Sequence, residues 1–179
     1  MTIKQNIYLK PLELADAEAM LVLRLSNQAF LQPVEPVRPN NFLTLEGQQE
    51  HIALGLQKQA EAAAYPFGIM LGQQLIGRME LSNVIRGPLQ NANVGYFLDR
   101  AHQGNGYVSE AVRLVTAYAF EQLNLHRLQA GVMPRNTPSI RVLERAGFRQ
   151  EGLALRYLQI NGVWEDHFLF ALTAEEYKS

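Results

Sequence analysis

Residues 103–108, with the sequence QGNGYV, have a spacing that could do chemistry. Gly104 and Gly106 follow an apolar run that ends at Leu98, and they precede a long segment with helical periodicity. Glycines at a strand-to-helix junction let the backbone turn closely toward a ligand, and the N-terminus of a helix favours an anion. We therefore predict that the consecutive N–H groups of residues 103–108 hold a phosphate, with a plain chain reversal as the alternative.

Two specific phosphate loops do not fit this segment. A Walker loop requires Gly-Lys-Ser/Thr after its glycines, and here Gly106 is followed by Tyr107. A dinucleotide fingerprint would put Ser109 where close helix packing requires Gly or Ala, and the surrounding strand–helix repeats are missing. A general anion site at a helix N-terminus remains.

Apolar periodicity predicts a mixed α/β fold around this turn. Strands are predicted at residues 7–11, 67–71, 75–81, 93–98, 127–132, 155–160 and 163–172. Helices are predicted at residues 16–27, from Thr44 to about residue 64, at 108–123, and from Asn136 to the C′ residue Gly147. Residues 30–41 contain three prolines and are predicted to form a surface loop that is neither helix nor central strand.

The connections predict the sheet. Because a helix separates strands 93–98 and 127–132, these two strands are predicted to run parallel with a right-handed crossover. Residues 72–74 and the pair Asn161-Gly162 predict antiparallel hairpins at the two ends of the sheet.

Composition sets further expectations. A chain of 179 residues that is 47 % hydrophobic and 18 % charged predicts a single globular domain over residues 1–179. The net charge of −1 provides no basic field for nucleic acid, and the absence of cysteine excludes disulfides, thiolate metal sites and a cysteine nucleophile. We expect a cytoplasmic protein with no membrane partner and no metal, since the N-terminus lacks a signal-peptide pattern and the four histidines lack ligand spacing. Trp164 is expected to be a packing residue.

Two linked blocks resemble the GNAT N-acetyltransferases. Residues 103–108 match the family's coenzyme A loop, Gln/Arg-x-x-Gly-x-Gly/Ala, and residues 136–148, NTPSIRVLERAGF, match the second block of the RimJ/RimL branch, which acetylates the N-termini of ribosomal proteins. The hairpin at residues 160–167, INGVWEDH, matches that branch as well. The resemblance implies an α/β (α+β) GNAT fold with a mixed sheet of about six to seven strands, a splayed parallel pair and about four helices. Val108 departs from the usual Gly or Ala, and its side chain either crowds the ligand or faces the core.

The resemblance also implies acetyl-CoA as the cosubstrate. Its pantetheine arm would lie between the splayed strands, with backbone groups of Phe97, Leu98 and Asp99 holding the amides and Leu98 the thioester oxygen. The other implied coenzyme contacts are Gln103, Gly104, Asn105, Gly106, Tyr107, Val108, Ser109, Asn136, Ser139 and Arg141. Asn136 and Ser139 are otherwise an ordinary helix cap and a helix serine, and Arg141 and Arg145 are otherwise solvated helix charges.

The implied reaction is direct transfer to a primary amine in a ternary complex. Ser139 would protonate or hydrogen-bond the leaving thiolate. Some relatives carry a glutamate at the position of Leu158, so the base is open here: Glu80, on a central strand, is preferred, and the other options are Asp166, His167 and His102. Tyr157 could orient the substrate.

The implied acceptor is a protein N-terminal alanine or serine, as on a ribosomal protein. The alternatives are a small amine, such as a polyamine, amino acid or drug, and a non-catalytic acyl-CoA sensor. Residues 33–39 bear on this choice, because an open groove admits a peptide and a closed pocket does not. The protein is expected to be a monomer or a homodimer.

Overall fold

The computed structural model describes residues 7–177, whose strands form one seven-stranded sheet in the order β1-β2-β3-β4-β5-β7-β6. The strands are β1 Ile7–Pro11, β2 Tyr65–Leu71, β3 Gln74–Ile85, β4 Asn91–Leu98, β5 Arg127–Val132, β6 Arg149–Ile160 and β7 Val163–Thr173. The helices are α1 Ala17–Ser26, α2 Gln28–Leu31, α3 Leu45–Ala60, α4 Tyr107–Ala117 and α5 Thr137–Arg145.

The sheet has two faces because side chains alternate along each strand. Leu81, Val94 and Leu128 belong to the larger core, in which α4 also takes part, and this side of the sheet is named the α4 face. A smaller core forms on the opposite side, where Met20 and Leu23 of α1 pack with apolar residues of the sheet, and this side is named the α1 face. Burying each such side chain contributes about 1.5–3 kcal/mol, so the two cores fix the sheet between two layers of helix.

The parallel pair β4–β5 splays apart, as predicted. Residues 91–93 pair with residues 127–129, and the side chain of Gln129 donates to Asn93 Oδ1 at 2.9 Å on the last paired rung. Beyond this rung β4 continues to Leu98 beside β3, and β5 continues to Val132 beside β7. A gap therefore opens between the C-terminal halves of β4 and β5.

The predicted order of strands and helices is confirmed, including both hairpins and the parallel pair. Thr44 caps α3 by accepting a hydrogen bond from Gly47 N at 3.1 Å, and Asn136 caps α5 by accepting one from Ser139 N at 3.3 Å. Gly147 follows α5 with φ of 88°, the left-handed conformation predicted for it.

Several local predictions were wrong. Residues 30–41 begin helically, with α2 followed by a 3₁₀ turn at Gln32–Val34, because Pro33 lies in a first turn that needs no N–H donor. Helix α3 ends at Ala60 rather than near residue 64, since Tyr65 pairs with Leu81 and precedes a proline, which disfavours helix.

The helix predicted at 108–123 ends as α-helix at Ala117 and becomes a π turn at Tyr118–Gln122. The described range contains five α-helices, of which α2 has only four residues, in agreement with the expected number of about four. Trp164 is 59 % exposed, so it does not serve as a packing residue. No helix between residues 7 and 177 is long and apolar enough to cross a membrane.

Candidate functional site

The edge of β4 that borders the gap presents unpaired backbone groups at alternate residues. Asp99 donates its N–H to Ile76 O at 2.8 Å, so along this antiparallel ladder Phe97 and Gly95 also bond toward β3. The backbone groups of Tyr96 and Leu98 therefore point into the gap. Of the three residues expected to hold the pantetheine arm, Leu98 presents its backbone to the gap. Phe97 bonds toward β3, and Asp99 donates its N–H to β3 and accepts from His102 N at 3.0 Å.

The glycine loop lies at the open end of this gap. Gly104 and Gly106 have φ of 80° and 79°, a conformation that disfavours other residues, and a Cβ at either position would meet no protein atom within 4 Å. Helix α4 begins at Tyr107, so the N–H groups of its first turn have no partner within the helix. The loop thus offers donors and open space to an anion.

The row of N–H groups that are available to an anion does not begin at Gln103. Gln103 donates its N–H to Arg100 O at 3.3 Å and its side-chain amide to Leu98 O at 3.3 Å, so its N–H is already in use. The row of available N–H groups begins at Gly104 instead. The Asn105 side chain donates to the carbonyl groups of His102 and Gln103 at 3.1 and 3.2 Å and so shapes the loop. Val108 packs against the core of the α4 face, which resolves where its side chain lies.

A groove continues from the glycine loop between α4 and the end of α5. It has a volume of about 760 Å³, and its walls include Gly106, Ser109, Arg113 and Arg145. Arg113 pairs with Glu110 at 2.7 Å. Arg145 also lies on the groove wall. Arg141, the residue expected to contact the coenzyme, does not line the groove.

Ser139 is linked to β4 by a hydrogen bond that the sequence analysis missed. The Tyr96 hydroxyl lies 2.8 Å from Ser139 Oγ. Burial raises the pKa of Tyr96 to about 12, so the phenol stays protonated at neutral pH. Tyr96 is hidden in the apolar run VGYFL, and the only signal for it is that a buried tyrosine hydroxyl needs a partner.

Two glycines open the α1 face of the sheet at the gap. The parallel register pairs Asn93 with Gln129, so Gly95 and Gly131 stand at matching positions two residues further on, on opposite sides of the gap. Both are exposed, and a Cβ at Gly95 would meet nothing within 4 Å. We name this passage the Gly95–Gly131 opening. Glycine inside a strand often marks close approach of a ligand.

Titratable side chains lie on both sides of this opening. Glu80 is opposite Gly95 on β3 and pairs with Arg78 at 3.0 Å. On the other side a Cβ at Gly131 would lie 3.4 Å from the Tyr157 ring and 3.6 Å from Cδ2 of His167. Glu80 therefore lies on the Gly95 side of the opening, and His167 and Tyr157 lie on the Gly131 side; all three were candidate acceptor-side residues from the sequence.

Of the remaining candidate bases, His102 lies away from the opening and Asp166 forms a hydrogen bond within a hairpin. His102 Nδ1 lies 2.8 Å from Asp99 Oδ2, before the glycine loop. Asp166 accepts a hydrogen bond from Arg156 N at 2.8 Å within the β6–β7 hairpin. Leu158, at the position where some relatives have glutamate, is an exposed residue paired with Glu165.

A cavity lies under residues 33–39. It has a volume of about 340 Å³, and its lining includes Arg24, Glu35, Arg38 and Phe42. Arg24 is only 3 % exposed, pairs with Glu35 at 2.6 Å, and lies 3.9 Å from the centre of the Phe97 ring on β4. Asn161 N donates to Glu35 O at 2.9 Å, so the proline-rich loop is attached to the β6–β7 turn.

Comparison with known proteins identifies the family. A profile described as "Acetyltransferase (GNAT) domain" matches residues 6–149. The chain belongs to the GNAT acetyltransferases. It is 48 % identical over 170 residues to "Probable N-acetyltransferase YjcK" of Bacillus subtilis strain 168, a match that covers 94 % of each chain.

Other GNAT relatives belong to the predicted RimJ/RimL branch. The chain is 35 % identical over 153 residues to the ribosomal protein uS5 alanine N-acetyltransferase of Escherichia coli strain K12, covering 84 % of this chain and 79 % of that one. Mycobacterium smegmatis RimJ, solved in complex with CoA-disulfide, superposes with a TM-score of 0.93 at 34 % identity, covering 97 % of this chain and 84 % of RimJ. The recognition of a RimJ/RimL-type GNAT N-acetyltransferase and its fold are thereby confirmed.

The residues of this GNAT enzyme fit a coenzyme with a pyrophosphate and a pantetheine arm. The loop that begins at Gly104 supplies donors and unfilled space for an anion, and the gap presents β4 backbone groups to an extended, amide-bearing chain. In the described part of the chain, no group of three or more His, Asp or Glu side chains is placed to hold a metal ion.

Proposed function

We propose that the protein transfers the acetyl group of acetyl-CoA to the α-amine of a protein N-terminus that begins with alanine or serine. The observation that supports this most is the Gly95–Gly131 opening, where two exposed glycines connect the α1 face to the gap into which the Leu98 backbone points. Coenzyme and acceptor can therefore approach from opposite faces of the sheet and meet in one ternary complex.

On the coenzyme side, bound acetyl-CoA supplies an activated thioester. The N–H groups from Gly104 to Ser109 bind its pyrophosphate, and Arg145 on the groove wall is suited to a further phosphate. The Leu98 N–H stabilises the negative charge that develops on the thioester oxygen. One such donor contributes about 10²- to 10³-fold to a rate, because it is already oriented before the reaction.

Ser139 acts on the leaving group. Tyr96 keeps its proton at neutral pH and can donate to Ser139 Oγ at 2.8 Å. Ser139 can then direct its own O–H toward the sulfur that leaves the gap. In this role Tyr96 is a positioning residue and Ser139 is the group that contacts the reacting atoms.

On the acceptor side, Glu80 lies where an incoming amine passes Gly95. Its carboxylate can attract the ammonium form and hydrogen-bond the neutral amine. An α-amine has a pKa of about 8, so it loses its proton more readily than a lysine side chain. The exposure of Gly95 and Gly131 and the likeness to the Escherichia coli alanine N-acetyltransferase both favour a peptide over a small amine.

The test is release of CoA from acetyl-CoA, detected as free thiol, with a matched panel of acceptors. The panel contains peptides with free alanine or serine N-termini, the same peptides with blocked N-termini, peptides with only a free lysine, and polyamines. We expect turnover with free N-terminal peptides and a large loss of kcat in Ser139→Ala. Turnover with polyamines alone would refute the peptide acceptor, and coenzyme binding without any turnover would favour a sensor.

A further inference from the structure

We propose that His167 removes the proton from the acceptor amine through its Nε2 atom. This inference rests on the proposed function and adds a catalytic residue to the acceptor side. It is carried by the hydrogen bonding of the imidazole, by its place at the Gly95–Gly131 opening, and by a bulge in β6 that puts Tyr157 beside it.

The hydrogen bonding of His167 leaves Nε2 as the basic atom. His167 Nδ1 lies 3.0 Å from the backbone oxygen of Glu165, and a carbonyl oxygen can only accept, so Nδ1 carries the proton. The neutral imidazole therefore keeps its lone pair on Nε2. Among residues 7–177 no group hydrogen-bonds to Nε2, so its lone pair has no protein partner in this range.

The location of His167 matches the route of the amine. Although the residue is only 3 % exposed, the atom next to Nε2 in the ring, Cδ2, would lie 3.6 Å from a Cβ at Gly131. Gly131 has no side chain, so an amine that enters through the opening can reach this edge of the ring. An alanine at this position would stand between the two.

The β6 bulge explains how Tyr157 comes to face His167. The register of β6 against β7 shifts between Ala154 and Leu158, and Arg156 within the shift has φ of 49°. Asp166 stabilises this unusual conformation by accepting from Arg156 N at 2.8 Å. As a result the Tyr157 ring lies 5.7 Å from the His167 ring, a redirection of a side chain that bulges often provide beside active sites.

The carboxylates near His167 and across the opening each have a hydrogen-bond or ion-pair partner. Glu165 pairs with Arg135 at 2.9 Å, and the Asp166 carboxylate is engaged with the β6 backbone. On the far side of the opening, Glu80 is paired with Arg78, which is only 12 % exposed. Protonating Glu80 would leave a largely buried arginine without its partner, which is unfavourable. His167 can accept a proton without breaking an ion pair.

The neutral amine nitrogen forms a bond to the acetyl carbon, and the amine's surplus proton passes to His167 Nε2. The carbon–sulfur bond then breaks, and its electron pair leaves with the sulfur, which Ser139 stabilises. His167 returns its proton to solvent before the next turnover, so no oxidant or further reactant is needed.

The test is chemical rescue of His167→Ala. We expect kcat to fall by about 10²- to 10⁴-fold, the usual contribution of a general base. Added imidazoles should restore the rate, and the restored rate should rise with the basicity of the imidazole, which a purely structural role would not produce. His126→Ala, which removes an exposed histidine, is the matched control and should keep wild-type kcat. Glu80→Gln should show no rescue by imidazoles.

Wild-type kcat in His167→Ala, or rescue that is independent of imidazole basicity, would overturn the inference while leaving the proposed function intact. Absence of turnover by the wild type with every acceptor would instead refute the proposed function. If His167→Ala does not fold, ¹⁵N NMR of the wild type reads the tautomer directly. A proton on Nδ1 supports the proposal, and a neutral ring with its proton on Nε2 overturns it.

Discussion

Replacing Gly106 by alanine separates two reasons for a glycine in the loop: its left-handed backbone conformation and the open space it leaves for a ligand. Gly106 has φ of 79°, and a Cβ there would touch no protein atom within 4 Å. The cost to folding is therefore only that of holding an alanine in the left-handed region, about 1 kcal/mol. For a chain of this size we expect the melting temperature to fall by about 2–4 °C.

The cost to coenzyme binding should be larger, because the new methyl group would occupy space that we assign to the pyrophosphate. Displacing the anion from one backbone donor loses a charge-assisted hydrogen bond of about 1.5–3 kcal/mol. At about 1.4 kcal/mol per factor of ten, the Kd for acetyl-CoA should rise by about 10- to 100-fold.

Gly87→Ala is the matched control for this experiment. Gly87 has φ of 70° and equally open surroundings, but it lies in the loop between β3 and β4. Thermal melts and calorimetric titration with acetyl-CoA should show similar destabilisation in both variants and weaker binding in Gly106→Ala alone. Unchanged affinity in Gly106→Ala would refute the assignment of this loop to the pyrophosphate.

Three further outcomes are expected. Gly95→Val should maintain or raise the melting temperature yet strongly reduce turnover with peptides, because its Cβ would meet no protein atom within 4 Å and its side chain would enter the opening. Burial, with help from neighbouring arginines, lowers the pKa of His51 to about 4, so its contribution to stability is full above about pH 6.5 and is lost toward pH 4. The stability in urea should therefore decline less between about pH 6.5 and pH 4 in His51→Gln than in the wild type. Glu35→Gln should lower the free energy of unfolding by about 2 kcal/mol, because Arg24 is left buried without its partner. Adding Arg24→Met to this variant should restore most of the lost stability in urea unfolding.

Local patterns in the sequence were sufficient for the order of the elements but not for how they meet. The Asn161-Gly162 turn and the Asn136 cap are set by neighbouring residues, and both predictions are confirmed. The Tyr96–Ser139 hydrogen bond depends on how α5 lies over β4, so neither residue alone could indicate it. Likewise the β6 bulge appears only once Asp166 of β7 is placed beside Arg156, since nothing in residues 154–158 breaks an ordinary strand pattern.

The glycines of the site serve two different physical purposes. Gly104 and Gly106 are required by backbone conformation, so any side chain there is strained whatever the ligand. Gly95 and Gly131 have ordinary strand conformations, in which glycine weakens a sheet and a larger residue would be expected to stabilise it. Gly95 in β4 and Gly131 in β5 thus stand where a larger residue would stabilise the sheet. The proposed passage of the acceptor amine between the two strands explains why both positions are glycine. If the opening is the route of the amine, as we propose, substitutions of these two glycines should combine gains in stability with losses in turnover.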